Sequence, residues 1–139
     1  MSDIGAAVRD VHHIGIAVSS LEKAIEQYMA LGFHIQTRKE SRDGTMNLAI
    51  MDAGNAKVEL LEPKEEDSPV GRFLRKRGEG IHHIALSVKR IEEYIEKRKE
   101  LGVAFVSEQP RVGAEGERIC FIHPKSAART LIEICEVSC

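Results

Sequence analysis

The sequence predicts an α+β fold built from two tandem βαβββ modules, and three observations lead there. The phrase VHHIGIAV at 11–18 returns as IHHIALSV at 81–88. Aligned at an offset of 70, residues 11–35 and 81–105 agree at nine of 25 positions: His12, His13, Ile14, Val18, Glu22, Ile25, Glu26, Leu31 and Gly32 each recur 70 residues on. In both copies a run alternating with period two gives way to apolar residues at helical spacing, the change that separates a half-buried strand from an amphipathic helix.

The first module opens with the strand at 11–18. Ser19 and Glu22 make a capping box for the following helix, Leu21, Ala24, Ile25, Tyr28 and Leu31 form its apolar stripe, and Gly32 stands where a left-handed cap belongs. A strand at 33–40, a polar loop and two apolar runs, 46–52 and 56–62, complete the module. In the connector KEEDSPVGRFLRKRGEG, Ser68 can cap a short helix, Pro69 suits its first position and Gly78 can end it. The second module repeats the plan, with a strand at 81–88 and a helix bearing Ile91, Tyr94, Ile95 and Leu101 closed by Gly102. A strand at 103–107, a polar loop and runs at 117–123 and 129–137 follow. The modules cover about 10–63 and 80–137 with a helical connector over 64–79, all within one domain of 139 residues, a size at which one chain buries an adequate core.

Composition narrows the function. Lys and Arg number 20 against 22 Asp and Glu, so the net charge of -2 offers no general attraction to nucleic acid or anionic lipid. Cys120, Cys135 and Cys139 form no CxxC and cannot all pair within one chain, which predicts free thiols and a reducing compartment. MSDIGAAVRD carries acidic residues and no apolar stretch of signal length, and no run approaches the roughly 20 apolar residues of a membrane span. These features predict a cytoplasmic protein without membrane or nucleic-acid partners.

Alternation decides which histidines matter. His12 shares its strand face with Ile14, Ile16 and Val18, a bulky face suited to packing under a helix, whereas His13 shares with Gly15 and Ala17. His82 and His83 divide in the same way, His83 lying with Ala85 and Ser87. His13 and His83 therefore line a hollow. The last strands carry KVELLE at 57–62 and LIEICE at 131–136, in which Glu59 and Glu133 stand between apolar neighbours while Glu62 and Glu136 lie near strand ends. A carboxylate buried in a strand requires a partner or a metal. One histidine or one mid-strand glutamate alone is ordinarily a satisfied structural residue. Recurrence in both halves on the correct parity points to a mixed N/O site for a divalent ion.

With these residues assembled, the chain resembles the vicinal oxygen chelate superfamily, whose paired βαβββ modules form a cupped mixed sheet around a metal. Within it the chain is similar to the methylmalonyl-CoA epimerase family, from about Val11 to Glu136. The most specific stretches are EDSPVGRFLRKRGEGIHHIAL at 66–86 and PRVGAEGERICFIHPKS at 110–126. The resemblance implies metal ligation by His13, Glu59, His83 and Glu133, with cobalt the first expectation and nickel, manganese or zinc compatible. It also implies an acid/base pair, Glu133 and a residue that falls on Asp43, where the family has glutamate. His123, Lys125 and Ser126 are the implied contacts for a CoA thioester substrate, and a homodimer the implied assembly. SAART at 126–130 departs from the family, which often has small residues and glycines there.

The implied reaction is interconversion of the 2R and 2S forms of methylmalonyl-CoA. A proton leaves C2 on one face and returns on the other, through an enediolate whose charge the metal takes up. Two alternatives stand beside it: a glyoxalase I-like lactoylglutathione lyase, and a non-catalytic small-molecule binding protein of the same fold. The connector cations Arg72, Arg75, Lys76 and Arg77 read either as phosphate contacts or as a solvated helix face.

Overall fold

The structure, a computed structural model, describes residues 7–137. Cys139 and most of the N-terminal stretch considered above lie outside them. Two compact units divide the described residues: His13–His82, and a second formed by 83–137 with residues 7–12.

In the first unit the strands are hydrogen-bonded in the order β2-β3-β4-β1. They comprise β1 (Asp10–Ala17), β2 (His34–Glu40), β3 (Met46–Asp52) and β4 (Lys57–Pro63), with α1 (Leu21–Ala30) after β1 and α2 (Pro69–Arg77) after β4. β1 and β4 run parallel, while β3 is antiparallel to both its neighbours. Leu21, Ala24 and Ile25 of α1 pack on Ala49, Met51, Val58 and Leu60, with Ile16, Tyr28 and Phe33 at the margin. By alternation Leu48, Ile50, Glu59 and Leu61 face away from the helix.

Sequence and structure differ at the start of α1. The cap is Ser20, not Ser19: Ser20 Oγ accepts the Lys23 N–H at 3.2 Å. The Ser19 N–H instead donates to Glu79 Oε2 at 2.8 Å, a long-range bond that the local pattern does not encode. Glu22 consequently falls outside the capping box and pairs with Arg38. Leu31 and Leu101 lie just past their helices and are 72% and 75% exposed rather than on the apolar stripes. Gly32 and Gly102 do take the left-handed backbone, with φ of 107° and 88°. The connector helix is capped by Ser68, whose Oγ accepts the Gly71 N–H, begins at Pro69 and stops at Gly78.

The second unit contains β5 (Gly80–Val88), α3 (Ile91–Glu100), β6 (Arg111–Val112), β7 (Arg118–Ile122) and β8 (Ile132–Glu136), in the strand order β5-β8-β7-β6. β5 is parallel to β8, and β7 antiparallel to β8 and β6. Arg9 N–H donates to the Ser87 carbonyl at 2.8 Å, so the head of the chain belongs to this unit. Ile91, Tyr94 and Ile95 of α3 pack on Val88, Cys120, Ile122 and Ile134.

The strand expected at 103–107 contracts to one bridge, Phe105 to Ile122, flanked by hydrogen bonds from Val106 N–H to Phe121 O and from His123 N–H to Ala104 O. Two local features stop it: Ser107 Oγ accepts the Gln109 N–H in a turn, and Pro110 has no N–H to give to a ladder. The edge resumes only at β6. The run expected at 129–137 is likewise shorter, because Ala128 and Arg129 form a turn with φ of 52° and 67°. Cys120 and Cys135 are buried free thiols. No helix among the described residues is long and apolar enough to cross a membrane.

Candidate metal centre and acid/base residues

Each unit holds one buried His–Glu pair on the sheet face turned from its helix. In the first, Glu59 is in register with Gly15 on β1, and the missing side chain leaves room for the carboxylate. His13 Nδ1 stands 3.3 Å from Glu59 Oε2, with the residues 2% and 4% exposed. In the second unit Glu133 is in register with Ala85, the matching small residue, and His83 Nε2 stands 3.3 Å from Glu133 Oε1. His83 and Glu133 are both buried.

The donor set fits a divalent ion. Two ligands of a tetrahedral ion with bonds of about 2.0–2.1 Å stand about 3.3 Å apart, which is the spacing in both pairs. Removing two carboxyls from water among apolar strands is costly unless a positive charge compensates. His12 and His82 behave as their parity predicts and stay off this face. The His82 ring meets Phe73 of α2 edge-on at 5.2 Å, and burial lowers its pKa, so it is held as a neutral packing residue.

Glu133 is a strongly perturbed carboxyl. Burial first, and the charge of Glu117 second, push it up to about 8, while Arg111 pulls the other way. Asp43 is the opposite case. It sits in the turn between β2 and β3, where its Oδ1 accepts from Thr45 Oγ1 at 2.7 Å, Ser41 Oγ at 2.8 Å and Thr45 N–H at 3.0 Å. The Thr45 bonds first, and Ser41 after them, hold Asp43 below the usual carboxylate range. In the ion-free protein one environment favours a protonated carboxyl and the other an ionised one.

His123, Lys125 and Ser126 gather in the 3₁₀ turn Pro124–Ser126 that follows β7. His123 Nδ1 accepts the Lys125 N–H at 3.1 Å, leaving Nε2 to carry the proton of the neutral ring. Ser126 Oγ accepts the Ala104 N–H at 2.9 Å, and the Lys125 side chain is exposed. Two features escaped the sequence reading. Arg111 and Glu117 flank a hairpin that brings their charges to Glu133, and Glu62 and Glu136 serve as helix caps instead of solvated strand ends. Alternation along 117–121 and the repeat of both capping glutamates at an offset of 74 were the available signals.

The model of the Glyoxalase/Bleomycin resistance protein/Dioxygenase superfamily matches residues 12–121. The uncharacterized protein YqjC of Bacillus subtilis (strain 168) is 40% identical over 128 residues, 89% of either chain. The ethylmalonyl-CoA/methylmalonyl-CoA epimerase of Cereibacter sphaeroides is 35% identical over 130 residues, 91% of this chain and 97% of that one. A methylmalonyl-CoA epimerase solved in complex with methylmalonyl-CoA and NH4+ superposes with a TM-score of 0.84 at 34% identity, covering 94% of this chain and 95% of the other.

Proposed function

We propose that this chain, which belongs to the Glyoxalase/Bleomycin resistance protein/Dioxygenase superfamily, is a metal-dependent epimerase interconverting the 2R and 2S forms of methylmalonyl-CoA. The observation that carries the reading is the repeated His–Glu pair, buried in each unit on the face away from the helix and spaced for ligation. Likeness to named epimerases over about nine-tenths of the chain supports the substrate.

His13 and Glu59 of one unit and His83 and Glu133 of the other are the metal ligands in this reading, each pair spaced for ligation. A mixed set of two imidazoles and two carboxylates accepts cobalt first in this reading, and also nickel, manganese or zinc. When bound, the ion supplies Lewis acidity toward the thioester and carboxylate oxygens of the substrate.

The rest is proton handling by this chain's own side chains. Epimerisation requires a base on one face of C2 and an acid on the other. Asp43, held ionised by Thr45 and Ser41, would take the proton as a carboxylate, with its basicity reduced by those bonds. Glu133, the other carboxyl of the pair that the resemblance implies, would return one through the oxygen that ligation leaves uncovered, and the two exchange roles with direction. His123, Lys125 and Ser126 contact the CoA thioester, and two copies of the chain form a homodimer.

The test is hydrogen exchange. Cobalt-loaded protein in deuterium oxide should introduce deuterium at C2 of methylmalonyl-CoA while equilibrating its two epimers, as followed by NMR. Absence of exchange, combined with turnover of a glutathione hemithioacetal, would make the chain a lyase of the glyoxalase type. Absence of metal uptake on titration would make it a binding module.

A further inference from the structure

Arg111 begins β6 and pairs with Ile119 of β7. Its guanidinium carbon lies 5.6 Å over the Phe121 ring. Phe121 is directly opposite Glu133 in register, and its ring meets that of His83 edge-on at 6.2 Å. Alternation sets Arg111, Phe121 and Glu133 on one face, turned from α3. The aromatic ring is thus a shelf, with the guanidinium over it and the His83–Glu133 pair at its side. Arg111 is exposed and makes no ion pair among the described residues, so its planar fork of donors is free to meet an incoming anion.

A free carboxylate on the reacting carbon matches that fork in charge and in its planar pair of oxygens, and would meet it in addition to the ion.

We propose that Arg111 is the positioning and specificity residue that receives the free carboxylate of the acyl group, holding it over Phe121 beside Glu133. The proposal rests on the epimerase reading and adds to it the means by which a carboxyl-bearing acyl-CoA is told from a plain one. The guanidinium takes no part in proton transfer; it binds ground and transition states alike.

The experiment compares wild type, Arg111→Met and Arg111→Lys in the cobalt-loaded protein. Dissociation constants are measured for methylmalonyl-CoA and for propionyl-CoA, which has the same thioester and nucleotide but no free carboxylate, alongside kcat and KM. Arg111→Met should weaken methylmalonyl-CoA binding and raise KM by about 10–100-fold, as loss of a charge-assisted bidentate pair does, with kcat nearly unchanged. Propionyl-CoA should bind all three proteins equally, and Arg111→Lys should recover part of the loss. Unchanged binding of methylmalonyl-CoA overturns the proposal. A parallel loss for propionyl-CoA overturns it too, since the contact would then be to the coenzyme's phosphates. If wild type binds both ligands but exchanges no C2 proton, the epimerase reading fails, while the two dissociation constants still judge Arg111.

Discussion

Glu136 Oε2 accepts the N–H of Ile91 at 3.1 Å, closing the first turn of α3 from the end of β8. Glu62 Oε2 does the same for Leu21 of α1 at 2.9 Å, and its other oxygen accepts from Asn47 Nδ2. In both units the strand that bears the buried glutamate therefore ends, three residues later, in a carboxylate that satisfies a helix N-terminus. α3 depends on this bond more than α1, because Arg90 provides no side-chain cap while Ser20 does. Glu136→Ala should destabilise the protein by about 1–2 kcal/mol and Glu62→Ala by about 1 kcal/mol, the range for a lost cap beside the helix dipole. Urea unfolding of both variants measures it, and equal, negligible losses would refute the asymmetry. The exposed Arg118 pairs with Glu92 and Glu136 should add little.

Ala128 and Arg129 stand in consecutive left-handed conformations after the 3₁₀ turn, where the resembling family often carries glycine. Each left-handed non-glycine residue costs about 1–2 kcal/mol, partly offset by the smaller entropy of its unfolded state relative to glycine. Arg129→Gly should accordingly stabilise the protein by about 0.5–1 kcal/mol. The Arg129 N–H to Pro124 carbonyl bond at 2.8 Å survives the change. A thermal melt that moves downward instead would show that the arginine side chain outweighs the strain.

Metal uptake should release a proton. In the ion-free protein Glu133 is raised from 4.5 to about 8, so the folded chain holds a proton that the unfolded chain loses between those values. The stability this gives is full below 4.5 and is lost as pH climbs through about 8. An ion requires the carboxylate, so binding expels that proton over the same window. Affinity should rise with pH to about 8 and then level off, and chelation should lower the melting temperature most at the alkaline end. Calorimetry in two buffers of different ionisation enthalpy counts the protons. Glu133→Gln should abolish their release and weaken binding by at least tenfold.

Asp43 yields a prediction through its neighbours. Its folded pKa is lowered, mainly by Thr45, so the form it favours is present above the ordinary value of 3.8 and lost as pH falls through the depressed one. Removing donors with Thr45→Val and Ser41→Ala should raise its pKa and carry the acid limb of kcat/KM to higher pH. Asp43→Asn should cost about 100-fold or more in C2 exchange, as expected for loss of a general base. An acid limb that stays fixed in Thr45→Val would remove Asp43 from the mechanism.

The legible parts of the fold were those set by local period. Alternation along VHHIGIAV and IHHIALSV put His13 and His83 on the face with Gly15 and Ala85, and each glutamate lies in register beside that small residue. Glycine stops and the Ser68–Pro69 start of α2 followed from backbone geometry alone. What could not be read depended on partners distant in sequence. Ser19 reads as the cap because Glu22 follows it by three, whereas Ser20 takes that place and the Ser19 N–H goes to Glu79, and Arg111 gained its meaning only from the β6–β7 register that lays it over Phe121. The edge at 103–107 had strand-like residues, but its length was decided by a serine turn and Pro110.

The single strand β1 serves two masters. Up to His12 it belongs to the later unit, through Arg9 and Ser87, and from His13 onward it pairs with β4. Fission of the gene within the connector would hand the front fragment a segment that the back fragment needs for its own completion. The boundaries of the sequence repeat and of the present compact units therefore no longer coincide.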